Sequence, residues 1–351
     1  MEEFDYEELR EATENFSPTR LIGKGSHGSI YKATLKDGNV VAIKRASHDN
    51  SRKLENEAFI LSSLPRMPSL IQVIGTSHDF AMKKLLVMEF MPNGSLEDLL
   101  HTSLNPPTWP KRVEMILQIA EGIHVLHQAR LKIIHRDIKS ANVLFDSCWN
   151  PKLADFSLAI MQNEHDDCGR VKTQPAGTIG YLDPSYTSPC KLSTKNDVYS
   201  FGVLVLEIIS CRRAIDVLQT PASIVEWAMP LIQLDRMVQI FDPRIPGPGC
   251  MADTLRCMLY MAARCLSLGE KSRPSIGDII VEIQSCLIQR VKFPTWTSIG
   301  RSLILLRKRK MIRRRHGTTV TCAAQQGDVN ADLLTPKKAL LREILADVTL
   351  N

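Results

Sequence analysis

Residues 135–142, with the sequence HRDIKSAN, contain an acid, an amine and an amide at a spacing that suits phosphoryl transfer. Asp137 could orient an attacking hydroxyl and accept its proton, and Asn142 could hold a magnesium ion. Lys139, two residues after the acid, would place positive charge where negative charge develops during transfer. The alternative is a plain polar loop after a helix, which the match over the whole run disfavours.

A glycine-rich run at residues 23–30 could cover phosphate groups. Glycine lets the backbone approach phosphate oxygens because no Cβ is in the way. The main alternative, a dinucleotide-binding turn, requires a helix after the glycines. A strand over residues 30–34 is predicted there instead, which favours a covering loop in a hairpin. The candidate nucleotide contacts in this run are Gly23, Lys24, Gly25, Ser26, His27, Gly28, Ser29 and Ile30.

Lys44 ends the apolar strand VAIK, and its distance after the glycine run suits a lysine that contacts the α and β phosphates. A lone lysine at the end of a strand would otherwise be a solvated edge residue. A helix predicted over residues 52–64 should supply its partner. The apolar stripe of that helix places Glu57 near the buried face, whereas Glu55 points more toward solvent. An ion pair between Lys44 and Glu57 would hold the lysine in register for a nucleotide.

Three later segments fit the same chemistry. Asp155 opens the run DFS after a strand-like segment at residues 151–154, and it is expected to hold a second magnesium ion. Residues 177–184, with the sequence GTIGYLDP, would dock a peptide. Asp197 begins a predicted helix, where its carboxylate could cap backbone amides.

The elements that must position these residues form two groups along the chain. After a short helix over residues 4–16, the region up to residue 88 is mainly β-rich, and beyond residue 95 helices dominate. The predicted strands are 23–31, 40–44 and 85–89, and the later helices are 112–127, 198–209, 224–229, 255–266 and 276–287. A strand-rich lobe followed by a helical lobe is an α+β architecture with a cleft between the lobes.

The composition is that of a folded protein with more than one lobe. With 351 residues, 44% hydrophobic and 23% charged, the chain is neither collagenous nor wholly disordered. Nine cysteines without a CxxC pair predict reduced thiols and argue against a zinc site. The net charge of +6 owes much to basic residues near the C-terminus, namely Arg301, Arg307, Lys308, Arg309, Lys310, Arg313, Arg314 and Arg315.

In the order of these motifs the chain resembles the eukaryotic protein kinases, and more narrowly the plant receptor-like kinases. Lys139 and Thr178 are similar to the serine/threonine type, and Arg136 could bind a phosphate placed on Thr173 or Thr178. The narrower resemblance rests on residues 12–17, 135–144, 177–184 and 197–202. It implies a bilobal kinase domain at residues 18–288, with a β-rich N-lobe at 18–88, a hinge at 89–95 and an α-helical C-lobe at 96–288. Residues 1–17 would form a segment that precedes the kinase domain.

The resemblance implies an ATP-dependent serine/threonine protein kinase that uses Mg²⁺ and acts in signalling. Its partners would be protein substrates and an upstream receptor kinase. The implied catalytic residues are Asp137, Lys139, Lys44 and Glu57, and the implied metal ligands are Asn142 and Asp155. Besides the glycine run, the implied nucleotide contacts are Ile22, Ala42, Lys44, Glu89 and Met91.

Two positions depart from the family pattern. Ser157 stands where the family has the glycine of its DFG motif, and Ser185 stands where the family has a glutamate that pairs with an arginine, here Arg273. Losing one partner of a buried ion pair costs about 3–5 kcal/mol unless another group compensates, and Asp183 is the candidate. The alternative function is therefore a weakly active or inactive nucleotide-binding scaffold that acts through protein contacts.

The tail at residues 289–351 has its basic cluster directly after the apolar patch at residues 303–306. This order would suit contact with anionic lipid headgroups. A nuclear-import signal is a second interpretation. A solvated run of charges is favoured over both. Residues 335 and 336 then open a predicted amphipathic helix. Its apolar face carries Leu340, Leu341, Ile344, Leu345 and Val348.

The N-terminus begins with Met1-Glu2-Glu3, without a secretory signal or a myristoylation glycine, and no apolar run reaches the length of a membrane span. We therefore expect a cytoplasmic protein, with peripheral contact at the plasma membrane through the basic tail. A monomer or transient dimer without a specific nucleic-acid partner is expected.

Overall fold

A computed structural model describes residues 1–25, 28–47, 51–162, 174–188, 192–247, 249 and 252–288. Both groups of predicted elements lie in one unit, Met1–Val281, except for the end of the last predicted helix, and a second unit comprises Glu282–Asn351. The predicted basic cluster and terminal helix of the tail lie outside the described residues, as do Ser26, His27 and Thr173. In the described ranges, no helix combines the length and apolar content needed to cross a membrane.

The N-terminal half of the unit is a six-stranded sheet with the strand order β1-β5-β6-β4-β3-β2. All neighbouring strands are antiparallel except β1 and β5. The strands are β1 (Glu2–Glu3), β2 (Leu21–Gly25), β3 (Gly28–Thr34), β4 (Val40–Ala46), β5 (Val73–His78) and β6 (Lys84–Glu89). Helix α2 (Ser51–Ser63) lies between β4 and β5 in the chain, close to its predicted position. The predicted strand-rich lobe is confirmed.

The first residues of the chain pack against this lobe. Helix α1 (Tyr6–Ala12) buries Leu9 completely in a cluster that includes Val41 and Val87 of the sheet. The helix is shorter than predicted because the Thr13 hydroxyl donates a hydrogen bond to the Leu9 carbonyl, 2.8 Å away, and the next three residues have positive φ angles. Burial of Leu9 stabilises the lobe by about 1.5–3 kcal/mol, which makes α1 part of its packing.

The C-terminal half of the unit is helical around a central buried helix. In α5 (Thr194–Ser210) every residue from Asn196 to Ile209 is buried, which is the pattern of a helix packed on all sides. The other helices are α3 (Leu96–His101), α4 (Trp109–His127), α6 (Ile224–Gln233), α7 (Ala252–Cys265) and α8 (Ile276–Ile288). All five long helices predicted from the sequence are present, and the bilobal α+β prediction is confirmed.

Two short antiparallel pairs of strands precede α5 and flank the two loops that contain candidate site residues. Strand β7 (Lys132–Ile134) pairs with β10 (Ile160–Gln162), and β8 (Val143–Phe145) pairs with β9 (Pro151–Leu153). Residues 135–142 therefore connect β7 to β8, and residues 154–159 connect β9 to β10. The candidate catalytic loop and the DFS run lie side by side because their flanking strands are paired in this way.

The cysteines differ in part from the sequence prediction. Cys148, Cys211 and Cys265 are free thiols, whereas Cys257 and Cys286 are each disulfide-bonded. The prediction of reduced thiols is therefore wrong for two of the described cysteines, because a count of cysteines carries no information about which sulfur atoms the fold brings within bonding distance.

Candidate active site

Lys44 lies at the centre of a buried ion-pair network between the lobes. Its Nζ atom is 2.6 Å from Oε2 of Glu57 on α2 and 2.8 Å from Oδ1 of Asp155. The second carboxylate oxygen of Glu57 accepts a hydrogen bond of 3.2 Å from the backbone N–H of Phe156. Of the two candidate acids on α2, Glu57 makes this pair and Glu55 is exposed. Strand β4, helix α2 and the DFS run are thus joined through three side chains.

The lysine of this network is held in its charged form. Burial alone would lower the pKa of Lys44, but the nearby carboxylates of Glu57 and Asp155 outweigh it and raise the pKa above its ordinary value. The ammonium group therefore remains available as a fixed positive charge at the cleft over the physiological pH range.

Asp137 forms the second cluster, with both carboxylate oxygens occupied. Oδ2 accepts a hydrogen bond of 2.9 Å from Nδ2 of Asn142 and lies 2.8 Å from Nζ of Lys139. Oδ1 accepts a 2.6 Å hydrogen bond from the hydroxyl of Thr178, which in turn accepts one of 2.8 Å from Lys139. The loop at residues 135–142 therefore brings its acid, amine and amide together with a hydroxyl from the segment predicted to dock a peptide.

Asp197 binds the backbone of the loop at residues 135–142. Its carboxylate accepts backbone hydrogen bonds of 2.9 Å from both His135 and Arg136, and a 3.0 Å bond from the His127 side chain. Asp197 therefore accepts hydrogen bonds from backbone amides of the loop, and not from amides at the start of its own helix. The N-terminus of α5 is capped by Ser193. Burial alone would raise the pKa of Asp197, but the hydrogen bond and charge of His127 together with the His135 amide lower it.

A further buried network, which was not predicted from the sequence, joins the loop to the 177–184 segment. Glu207 of α5 accepts hydrogen bonds from the Tyr181 hydroxyl, from Ser140 at 3.0 Å and from His101 at 2.7 Å. Burial, followed by the charge of Glu207, raises the pKa of Tyr181, so the phenol stays protonated. Glu207 and its three partners come from four different parts of the chain, so no local spacing could have revealed the network.

The described residues of the glycine run lie on the paired antiparallel strands β2 and β3. Gly25 pairs with Gly28, and Gly23 pairs with Ile30, so a strand follows the glycines as predicted. Gly28 has a φ angle of +147°, and a Cβ at this position would lie 2.2 Å from the carbonyl oxygen of Arg45. Only glycine fits there. Lys24 and Ser29 are opposite each other in the same hairpin.

The hinge side of the cleft contains the other candidate nucleotide contacts. Ala42 on β4 and Met91 are buried, whereas Ile22 on β2 is half exposed. The carboxylate of Glu89 is bound by Nζ of Lys152, at 2.8 and 2.7 Å, and by the backbone N–H of Gln72 at 2.8 Å. Since its side chain is occupied, any contact of Glu89 with a nucleotide would come from its backbone.

The Glu89–Lys152 pair links the hinge to β9, three residues before Asp155, and we expect it to hold this end of the cleft in place. In a double-mutant cycle with Glu89→Gln and Lys152→Met, the two changes should be coupled by about 0.5–3 kcal/mol in the free energy of unfolding. The charge-reversed double variant, Glu89→Lys with Lys152→Glu, should recover part of the loss. Urea unfolding of the four proteins measures the coupling, and strictly additive effects would contradict it.

Ser157 is compatible with the observed position of the DFS run. Asp155 takes the left-handed conformation, with a φ angle of +59°, whereas Ser157 has no positive φ angle and therefore does not require glycine. The Ser157 side chain is buried, and its backbone N–H lies 3.4 Å from Oδ1 of Asp155. The serine is therefore compatible with the contact between Asp155 and Lys44.

Asp183 replaces the missing glutamate partner of Arg273. The Arg273 guanidinium donates to both carboxylate oxygens of Asp183, with one bond of 2.8 Å, and both side chains are fully buried. Ser185 contributes as well, because its hydroxyl donates a 2.8 Å hydrogen bond to Asp183. Nδ2 of Asn196 donates a further bond of 2.8 Å. The candidate compensation by Asp183 is therefore present.

The donor set at the cleft fits a magnesium ion shared with phosphate groups. Mg²⁺ is usually held by one or two protein oxygen ligands together with substrate phosphates and water. Asp155 offers a carboxylate, and Asn142 uses only its Nδ2 in the bonds to Asp137, which leaves its amide oxygen as a ligand. Within the described ranges, no group of three or more His, Cys, Asp or Glu residues could hold a metal without such phosphates.

Comparison with known proteins agrees with this geometry. The family model described as protein tyrosine and serine/threonine kinase matches residues 16–283. The serine/threonine-protein kinase-like proteins At5g23170 and At3g51990 of Arabidopsis thaliana are 48% and 46% identical to the chain, over 88% and 79% of its length and 95% and 77% of their own. The probable serine/threonine-protein kinase PBL28 of the same plant is 37% identical, over 80% of this chain and 78% of its own. The chain belongs to the protein tyrosine and serine/threonine kinase family.

Proposed function

We propose that this chain is a plant serine/threonine protein kinase that transfers the γ-phosphoryl group of ATP to protein hydroxyls at the cleft around Lys44, Asp137 and Asp155. The observation that carries the proposal is the convergence of side chains from distant parts of the sequence. Lys44 lies within 2.8 Å of both Glu57 and Asp155, and Asp137 lies within 2.9 Å of both Lys139 and Asn142.

Each group has a separate role in the proposed mechanism. Lys44, held by Glu57, neutralises charge on the α and β phosphates of ATP. Asp155 and Asn142 would hold Mg²⁺, which neutralises the charge that develops on the phosphates during transfer. Asp137 orients the acceptor hydroxyl and takes up its proton, and Lys139 stabilises the transferred group.

The acceptor is proposed to be serine or threonine. Thr178 lies between Asp137 and Lys139 and would fix the position of the acceptor side chain beside the acid. The printed names of the Arabidopsis relatives also describe serine/threonine kinases. An inactive scaffold is not favoured, because Ser157 and Ser185 are both accommodated and the candidate phosphoryl-transfer side chains are in contact with one another.

The nucleotide pocket is proposed to lie between the glycine hairpin and the hinge. The residues that would contact ATP are Ile22, Gly23, Lys24, Gly25, Ser26, His27, Gly28, Ser29, Ile30, Ala42, Lys44, Glu89 and Met91. The kinase domain is proposed to span residues 18–288, with the predicted lobe boundaries. Because such an enzyme consumes ATP and acts on proteins, we also propose a cytoplasmic location.

The remaining proposals concern partners. An upstream receptor kinase is proposed from the family resemblance. Arg136, whose guanidinium donates a 2.8 Å hydrogen bond to the Gln174 carbonyl, is the proposed site for a phosphate on Thr173 or Thr178. The basic cluster of residues 301–315 supports peripheral contact with anionic membranes, as a proposal from the sequence alone. We also propose that the protein is a monomer or a transient dimer and that it has no specific nucleic-acid partner.

Calorimetric titration with ATP and Mg²⁺ tests the proposed nucleotide site. Lys44→Met should raise the dissociation constant at least about tenfold, because a charge-assisted hydrogen bond contributes about 1.5–3 kcal/mol. Asp155→Asn should weaken the dependence of binding on Mg²⁺. The matched control is Lys36→Met, at an exposed turn of the same lobe, which should bind like the wild type. Absence of binding heat for the wild-type chain would contradict the assignment.

A further inference from the structure

The segment before β2 makes close contacts with the sheet that carries Lys44. We call it the N-terminal segment, and it consists of residues 2–17. Its strand β1 pairs with β5 at the edge of the sheet. A Cβ on Gly75 of β5 would lie 2.3 Å from the carbonyl oxygen of Glu2 and 2.6 Å from Cε2 of Phe4. Only glycine therefore lets the N-terminal segment approach β5 this closely.

The N-terminal segment packs on the face of the sheet opposite to the candidate active site. Leu9 is completely buried in a cluster that includes Ile43 of β4. Side chains alternate between the two faces along a strand, so Lys44 points toward the cleft, whereas Ile43 and Arg45 point toward the N-terminal segment. Contacts of the segment can therefore set the position of β4 without touching a bound nucleotide.

Phe16, near the end of the segment, contacts two neighbouring strands on this face. Its ring packs edge-on against the Tyr31 ring of β3, with 5.3 Å between the centroids, and the Arg45 guanidinium of β4 lies 4.8 Å from the Phe16 centroid. Ile30 and Lys44 are directly opposite each other in the β3–β4 pair. Tyr31 follows the first of them and Arg45 follows the second. Phe16 thus joins the two strands where Lys44 and the end of the glycine run lie side by side.

The backbone at Phe16 has a conformation that such residues rarely adopt. Glu14, Asn15 and Phe16 have φ angles of +53°, +59° and +52°, in the left-handed region. Residues other than glycine stay in this region only where the surrounding contacts require it. Here the completely buried Thr13 supplies them, because its hydroxyl donates a 2.8 Å hydrogen bond to the Leu9 carbonyl and accepts one of 3.1 Å from the Phe16 N–H. The position of the Phe16 ring is therefore fixed within the segment itself.

We propose that Phe16, fixed by Thr13, is a positioning residue that holds the glycine run and Lys44 in the arrangement needed to bind ATP. This inference rests on the proposed function, since it takes Lys44 and the glycine run as contacts of the ATP phosphates. Displacement of the ring would let β3 and β4 move relative to each other, and small displacements of binding groups are costly. The N-terminal segment would then be part of the catalytic unit, although it packs on the other face of the sheet.

The experiment uses four variants of the full chain. Phe16→Ala removes the ring, and Thr13→Val removes the hydroxyl that fixes the ring while it keeps the shape of the side chain. Phe16→Tyr is the conservative variant, because it keeps the ring. The matched control is Phe80→Ala, since Phe80 is 79% exposed and its ring contacts Tyr6 of the same segment.

Two kinds of measurement are made on each variant. Steady-state phosphorylation of a generic protein substrate gives kcat, the KM for Mg·ATP and the KM for the protein. Hydrogen exchange of the backbone amides of residues 28–46 is measured without nucleotide, and it reports directly on how firmly β3 and β4 are held.

Phe16→Ala and Thr13→Val should each raise the KM for Mg·ATP about three- to tenfold, which is the size of effect expected from the loss of an aromatic contact. The KM for the protein substrate should not change. Amide exchange over residues 28–46 should be faster in both variants, and Phe16→Tyr and Phe80→Ala should behave like the wild type. A general loss of folded protein would instead reduce the amount of active enzyme and leave both KM values as they are.

An unchanged KM for Mg·ATP in Phe16→Ala and Thr13→Val would overturn the proposal, and so would an equal rise in Phe80→Ala. If Phe16→Ala does not fold, Thr13→Val decides. The exchange measurement separates this proposal from the proposed function, because it requires neither nucleotide nor turnover. If the wild type transfers no phosphoryl group, the kinase assignment fails. Faster exchange in the two variants would then still support the positioning of the strands, and unchanged exchange would overturn it.

Discussion

Asp137→Asn should lower the rate of phosphoryl transfer by about 10²–10⁴-fold, which is the usual contribution of a positioned general base. The amide has the shape of the carboxylate but cannot take up a proton. Its two oxygen contacts are also altered, because Oδ1 receives the Thr178 hydroxyl and Oδ2 lies 2.8 Å from Lys139. The rate is measured in single-turnover reactions with γ-labelled ATP at saturating nucleotide.

Two controls keep this result specific. Asp235→Asn removes a carboxylate from an exposed ion pair with Arg256, and it should leave the transfer rate close to that of the wild type. Thermal unfolding of Asp137→Asn should show a folded protein. A rate within about threefold of the wild type would show that another group takes up the proton, and the assignment of Asp137 would be wrong.

Arg273→Met should lower the free energy of unfolding by about 3–5 kcal/mol, the cost of leaving one buried charge without its partner. The Asp183 and Arg273 side chains are completely buried, and Asp183 also accepts hydrogen bonds from Ser185 and Asn196. Without the guanidinium, the Asp183 carboxylate would remain buried beside neutral donors only. Urea unfolding at pH 7 measures the effect.

The matched control for this change is Arg256→Met. Its partner is Asp235, and both side chains of this pair are 56% exposed. An exposed ion pair contributes about 0–1 kcal/mol, so the control should be nearly neutral. If Arg273→Met were as mild as Arg256→Met, Asp183 would not be the compensating partner for the missing glutamate.

The same pair predicts how stability depends on pH. Burial alone would raise the pKa of Asp183, but hydrogen bonds from Arg273 and Ser185 outweigh it and lower the pKa below its ordinary value. The unfolded chain therefore takes up the proton at a higher pH than the folded one, so this stability is present above about pH 4 and lost as the pH falls through the folded pKa. In Asp183→Asn, the acid limb of unfolding free energy against pH should be shallower, and an unchanged limb would contradict this.

The sequence was informative wherever chemistry depends on local spacing. The loop at 135–142 could be predicted because its acid, amine and amide are close neighbours in the chain. The choice of Glu57 over Glu55 followed from helical periodicity, since the apolar stripe of α2 faces the sheet. Long helices such as α4 and α5 were also predictable, because their apolar residues recur over many turns.

Contacts between distant residues could not be predicted in this way. Lys152 binds Glu89 from 63 positions away, and Glu207 of α5 receives the Ser140 hydroxyl from 67 positions away. Nothing in either local sequence indicates the partner. The three-residue strands β7, β8, β9 and β10 are too short to show alternation, so they could not be predicted from the sequence.

The consequences of Ser157 and Ser185, which depart from the family motifs, could be judged only with the structure. Ser185 alone predicts an unpaired arginine, yet the fold presents Asp183 to Arg273 two positions earlier in the chain. Ser157 alone predicts restricted backbone freedom, yet the positive φ angle in this run belongs to Asp155. In both cases the energetic consequence depends on a neighbour and not on the substituted residue itself.

The central claim is that one cleft binds Mg·ATP and passes its γ-phosphoryl group to serine or threonine. Incubation of the wild-type chain with γ-labelled ATP, Mg²⁺ and a generic protein substrate, followed by phosphoamino-acid mapping, measures this directly. We predict label on phosphoserine and phosphothreonine, and its loss in Asp137→Asn. Mg·ATP binding without any label on protein, or label that is equal in Asp137→Asn, would contradict the account.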